Sequence, residues 1–111
     1  MKKFGLPKES LLRKPYEYSR VYRKGNRLKG KGFSLIFLAN DLSHSRLGIS
    51  VHRLIRGAVH RNRIKRIVRE VYRLHCDLFP KSCDIVFTVA PGFSLLKADA
   101  VREAVAGLTE R

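Results

Sequence analysis

The stretch Arg46-Leu47-Gly48-Ile49-Ser50-Val51, followed by Ala58-Val59-His60-Arg61-Asn62-Arg63-Ile64-Lys65-Arg66-Ile67-Val68-Arg69-Glu70, decides the fold. Leu47, Ile49 and Val51 alternate with smaller or polar residues, the period of a strand. Beyond Gly57 the period changes. Ile64, Ile67, Val68, Val71, Leu74 and Leu78 follow the i, i+3, i+4, i+7 rule of a buried helical stripe. The spacing predicts a helix from Gly57 or Ala58 to about Leu78, stopped by Phe79-Pro80. Asp84 to Val89 reads as a further strand. Strand 46–51, helix 58–78 and strand 84–89 therefore make a β-α-β unit, for which the general rule expects a right-handed crossover.

Working outward, Pro15 suits a first helical turn and Gly25 a stop, so a helix is predicted between them. Tyr18, Val21 and Tyr22 share one face of it. Phe33 to Ala39 is apolar except at Ser34 and reads as a strand, with a short strand at 27–29 before it. Leu95 to Leu108 is amphipathic, with Leu96, Val101, Val105 and Leu108 inward. Residues 1–13 read as an extended basic segment. The order is α-β-β-β-α-β-α in a single domain, residues 1–111. No repeat, linker or low-complexity tract interrupts it.

The net charge is +15, far beyond what solubility needs, and a polyanionic partner is the first inference. The charge is uneven. Residues 1–75 carry a net of +16 and residues 76–111 a net of −1, so the partner is expected on the first two-thirds of the chain. At about 100° per residue, Asn62, Lys65, Arg66, Arg69 and Arg73 fall opposite the apolar stripe, flanked by Arg61 and Arg63. Solvated helices usually alternate charge signs; here Glu70 stands almost alone. Guanidinium forks match phosphate oxygens bidentately, so this face suits RNA or DNA.

Other residues admit two readings. Tyr18, Tyr22, Phe33 and Phe37 suit core packing, or stacking on unpaired bases. His60, His75, Cys76 and Cys83 lack the spacing of a zinc site. No nucleophile–base arrangement, phosphate-cradling glycine loop or paired-carboxylate site is visible, so no catalytic residue is expected in the protein. No stretch approaches a membrane span, and Lys2-Lys3 lacks an apolar run behind it. A cytoplasmic location with reduced thiols is expected.

Arg46-Leu47-Gly48-Ile49-Ser50-Val51 with Ala58-Val59-His60-Arg61-Asn62-Arg63-Ile64-Lys65-Arg66 closely resembles the signature of the bacterial ribonuclease P protein component. Tyr18-Ser19-Arg20-Val21-Tyr22-Arg23-Lys24-Gly25 is similar to that family's aromatic-basic first helix, and Asp84-Ile85-Val86-Phe87 to its last strand. The resemblance implies an α/β (α+β) two-layer sandwich like the second domain of a small-subunit ribosomal protein, with a left-handed β-α-β crossover. It implies a subunit that binds a catalytic RNA and precursor tRNA, with no membrane association and no obligate protein partner. The RNA, with Mg²⁺ held mainly by itself, removes the 5′ leader. By resemblance, Arg61, Asn62, Arg63, Lys65, Arg66 and Arg69 contact the catalytic RNA, and Arg73 extends that face. Tyr18, Tyr22, Phe33 and Arg53 are expected in a cleft that receives the leader. The chain departs from the family pattern at Ile36, where some members carry tyrosine, at Val89-Ala90, often a basic pair, and at Arg56, often glycine.

Three other readings differ in class. A structural ribosomal-type protein would share the fold and lack the substrate. A DNA reader would pair its recognition helix with a supporting helix, whereas strands flank this one. An autonomous nuclease would need a site that the residues do not show.

Overall fold

The computed structural model describes residues 8–110. Helix α1 spans Pro15–Lys24, strands β1, β2 and β3 span Asn26–Lys29, Phe33–Ala39 and Arg46–Val51, helix α2 spans Ala58–Leu74, β4 spans Cys83–Val89 and helix α3 spans Ala98–Thr109. One mixed sheet has the order β1-β2-β4-β3. The β1–β2 and β2–β4 pairs are antiparallel, and β3 runs parallel to β4 through the α2 crossover.

Strand alternation assigns every sheet residue to one of two faces. Phe33, Leu35, Leu47, Val51, Ile85, Phe87 and Val89 form the main core with Ile64, Val68, Val71 and Tyr72 of α2 and Val101, Val105 and Leu108 of α3. The sheet and these two helices are the α-β sandwich. Phe33 stacks on Phe87 at 5.0 Å between centroids, and Phe93 meets both rings edge-on. On the other face α1 packs against β2 and β4, and Val21 joins Leu12, Ile36 and Val86 in a smaller cluster.

Three expectations need correction. Helix α2 ends at Leu74, not near Leu78; His75 leaves helical geometry at φ −134° and Cys76–Leu78 form a separate 3₁₀ turn. Leu74 is therefore not in the buried stripe but 55% exposed. Its place is taken by Tyr72, which packs edge-on against Phe79 at 5.0 Å. The last helix starts at Ala98 instead of Leu95, because Pro91 to Lys97 tucks Phe93, Leu95 and Leu96 against the core first.

The basic N-terminal segment is the third. Residues 1–7 lie outside the described part. Lys8–Ser10 form a 3₁₀ turn, Leu11 bridges Leu47, and the Leu12 N–H donates to the Leu47 carbonyl at 2.9 Å. This segment is docked on the sheet edge, with Leu12 buried.

Candidate nucleic-acid interface

Helix α2 starts from Gly57, whose φ of 91° is a backbone conformation that an L side chain rarely adopts. Its buried stripe is Ile64, Val68, Val71 and Tyr72. That orientation turns Asn62, Arg63, Arg66 and Arg69 into solvent and leaves Lys65 half-buried. Among the described residues, none of these five side chains makes an intramolecular hydrogen bond or ion pair within the usual distances. Like charges held at one-turn spacing repel one another, so this face gains from a polyanion that neutralises them.

Arg61 and Arg73 are placed differently. The Arg61 guanidinium donates to the carbonyls of Val51, His52 and Ile55 at 2.8–3.0 Å. It ties the β3–α2 connection to the helix. Arg73 pairs with Glu70 at 2.9 Å, one turn away. The pair lowers the Glu70 pKa and raises that of Arg73. The uncompensated ridge thus runs from Asn62 to Arg69.

On the α1 face, Glu17 sets the position of the helix. Its Oε1 accepts from the backbone N–H groups of Arg13 and Lys14, both at 2.9 Å, which caps the first turn. Its Oε2 accepts from Arg46 at 2.9 Å. Arg46 in turn forks onto Asp84, at 2.8 Å and 2.7 Å, and Asn40 donates to Asp84 at 3.0 Å. Burial by itself would raise the Asp84 pKa, but the hydrogen bonds from Arg46 and Asn40 hold it below the ordinary value. The same competition, with backbone N–H groups and Arg46 outweighing burial, lowers Glu17. Composition could not reveal this network, because its members lie far apart in sequence.

The Tyr18 ring packs closely against Gly48. A Cβ there would come within 2.7 Å of the ring, so only glycine admits this approach. The Tyr18 hydroxyl donates to the Leu12 carbonyl at 3.4 Å. Burial raises its pKa, against an opposing influence of the Ile49 N–H. Leu12 and Arg61 satisfy the outward carbonyls of Leu47 and Val51, and Tyr18 covers Gly48 between them, along the free edge of β3. An edge strand covered in this way is a poor template for pairing with another chain.

Glu17 and Tyr22 flank the buried stripe of α1 on opposite sides, at about 100° per residue. Since Glu17 faces Arg46 and Asp84, Tyr22 faces the next rows of the sheet. The strand register brings Lys29, Ser34, Thr88 and Ser50 into one row across all four strands there. This hydroxyl-bearing strip lies on the α1 face of the sheet, and Tyr22 of α1 is 41% exposed. Arg27 and Lys29 are exposed at its β1 end, and Arg53 is exposed in the turn after β3. The sequence signal for the strip was available: Ser34, Ser50 and Thr88 are the polar interruptions of three apolar strands.

Phe33 is a correction. It was expected in the cleft with Tyr18 and Tyr22, but it is only 3% exposed and points into the α2–α3 core. Strand alternation explains this: Ile36 faces α1, so Phe33, three residues away, must face the other side. Ser34 takes the cleft-facing position.

A four-stranded sheet with one cationic helix ridge and one aromatic strip defines a small nucleic-acid-binding domain of the accessory kind, without a catalytic constellation among the described residues. The family model described as Ribonuclease P matches residues 6–111, and the chain belongs to that family. It is 56% identical over 97% of its length to the ribonuclease P protein component of Desulfotalea psychrophila, covering 90% of that protein. It is 42% identical over 99% of its length to that of Syntrophus aciditrophicus, covering 93%. The solved ribonuclease P protein of Thermotoga maritima superposes with a TM-score of 0.79 at 32% identity, over 91% of this chain and 96% of that one. The Staphylococcus aureus protein gives 0.80 at 25% identity, over 91% and 93%.

Proposed function

We propose that this subunit of ribonuclease P bridges two RNAs, and the uncompensated ridge of α2 is the observation that carries the reading. Asn62, Arg63, Lys65, Arg66 and Arg69 meet the phosphates of the catalytic RNA, with Arg61 bracing the helix start and Arg73 extending the face. Tyr22 and the edge of Tyr18 meet unpaired bases of the precursor-tRNA leader, and Arg53 meets its phosphates. The hydroxyls of Ser50 and Thr88 offer hydrogen bonds to sugar and phosphate oxygens along the strip.

Leader and catalytic RNA are both polyanions, and their approach is unfavourable without countercharge. A cationic domain between them lowers that barrier and the divalent-ion concentration needed to assemble the complex. The hydrolytic Mg²⁺ belongs to the RNA subunit in this reading. The carboxylates Glu17, Glu70 and Asp84 are all committed to arginines, which supports that assignment. No helix among the described residues is long and apolar enough to cross a membrane. A cytoplasmic site of action, with no second protein required, is part of the proposal.

The test is reconstitution with a bacterial ribonuclease P RNA at limiting Mg²⁺. The expected result is that the chain alone leaves precursor tRNA intact and, added to the RNA, accelerates removal of the 5′ leader. Cleavage by the purified chain without RNA would overturn the division of labour. Failure to accelerate the RNA would overturn the bridging role.

A further inference from the structure

The outward face of α2 carries one residue that phosphate binding does not explain. Val59 is 84% exposed. At about 100° per residue it falls on the midline of the face opposite the buried stripe of Ile64, Val68 and Val71. Arg66 and Arg73 follow it on that midline, and Asn62 and Arg63 lie one turn on, to either side. In the turn that leads into the helix, Leu54 is 60% exposed. We propose that Val59 and Leu54 make an apolar contact with the sugars and base edges of the catalytic RNA, in a shallow groove whose flanking phosphates are held by the cations around them. The proposal rests on the reading that α2 meets the catalytic RNA, and it adds a component of recognition that follows shape instead of charge.

Three observations support it. First, a single exposed aliphatic side chain is ordinary on a protein surface, but these two are set among cations only. No Asp or Glu occurs in the sequence between Asp41 and Glu70. Among the described residues, Arg53, Arg56 and Arg63 pair with no carboxylate. A partner that covers Val59 must also neutralise these cations, which fits RNA and opposes the charge-depleted core of a protein interface. Second, a fixed backbone displays the apolar groups. The Arg61 guanidinium holds the carbonyls of Val51, His52 and Ile55. The Ile55 side chain is buried, and the Leu54 N–H donates to His52 Nδ1 at 3.1 Å. Leu54 is therefore directed outward by a built turn, and little ordering remains to be done on binding. Third, folding gains nothing from Val59. Valine is a poorer helix former than alanine, lysine or arginine, and at this exposure it buries almost no apolar area. A-form RNA offers the complementary surface, since its minor groove is wide, shallow and lined by sugars and base edges.

The experiment measures assembly of the full chain with a bacterial ribonuclease P RNA across a salt series. The variants are Val59→Ala, Val59→Ile, Val59→Lys and Leu54→Ala, beside Arg66→Ala. Val59→Ala and Leu54→Ala are each expected to weaken assembly roughly three- to tenfold, as for one lost aliphatic contact, with the salt slope unchanged. Val59→Ile keeps the branched shape and should bind as the wild type does. Val59→Lys separates the two kinds of recognition. On a purely electrostatic face an added cation tightens binding and steepens the salt slope; at an apolar contact it weakens binding. Alanine and lysine are better helix formers than valine, so weaker assembly does not come from a frayed helix, and urea unfolding of each variant checks this. Hydroxyl-radical cleavage of the RNA at saturating protein supplies the second readout. A few neighbouring sugars protected by the wild type should become accessible with Val59→Ala and stay protected with Arg66→Ala. Wild-type affinity in Val59→Ala, or tighter binding by Val59→Lys, would overturn the proposal. Should Arg66→Ala also leave assembly and its salt slope unchanged, the reading of α2 as the face toward the catalytic RNA fails, a result distinct from failure of the apolar contact alone.

Discussion

The two faces of the sheet are built on opposite principles. The face under α2 and α3 is dry and aromatic, closed by Phe33, Phe87 and Phe93 and by the apolar stripes of two helices. The face under α1 holds a small apolar cluster between a partly buried ionic network on one side and a hydroxyl strip on the other. Burial of apolar area supplies most of the folding energy on the first face. On the second, polar groups must each find a partner, and directional bonds set where α1 lies. The lesson is that α1 is aimed more than it is buried, and its aromatic edge is placed by the ion pairs of Glu17, Arg46 and Asp84 and by the close approach of Gly48.

Substitutions can break this contrast. Phe87→Ala on the dry face should cost about 3–5 kcal/mol in urea unfolding, since it removes a fully buried ring from a stacked pair. A cost near zero would mean the aromatic cluster is not the keystone of the fold. Asp84→Ala leaves Arg46 without its main partner and should cost about 2–3 kcal/mol, less than a fully buried pair would because Arg46 is partly exposed. The penalty should shrink in acid. Glu17 and Asp84 have lowered pKa values, so their contribution is complete above the ordinary carboxylate range and is lost as the pH falls through the lowered values. A wild-type-to-variant stability difference that stayed constant down to strong acid would contradict this linkage.

Gly48→Ala sharpens the contrast further. The added methyl group collides with Tyr18, so about 1–3 kcal/mol of stability should go, along with preference for leader-bearing over leaderless tRNA. Retention of that preference would show that the placement of Tyr18 is immaterial. Smallest in stability are Tyr22→Ala and Arg66→Ala, each within about 0.5 kcal/mol as exposed positions. Their effects should appear in binding. Tyr22→Ala reduces leader discrimination, and Arg66→Ala lowers the salt slope of catalytic-RNA binding by about 1. Equal defects from both in both assays would erase the distinction between strip and ridge.

Much of the fold was legible because its periods are strong. Phe33 to Ala39 and Arg46 to Val51 alternate or run apolar without ambiguity, and both strands occur with those bounds. Pro15 and Gly25 framed α1 correctly for the same local reason. Errors arose where a local pattern competed with packing: Leu74 and Leu78 continue the apolar spacing of α2, yet the chain breaks at His75 to bring Phe79 onto Tyr72. Phe33 shows the same limit. Its type suited stacking on bases, but its facing depends on the register of a strand whose neighbours lie some fifty residues away.

From the sequence alone came the cationic stripe of α2, the β-α-β order around it and the family resemblance. These depend on residue type and on spacing within one element, which helix and strand geometry convert directly into faces. Only tertiary structure decided which of those cations remain uncompensated, that Arg61 and Tyr18 cover the edge of β3, and that Leu54 is held outward in the turn before α2. Those outcomes are set by long-range pairing, where a side chain's fate depends on a backbone group that no local spacing specifies.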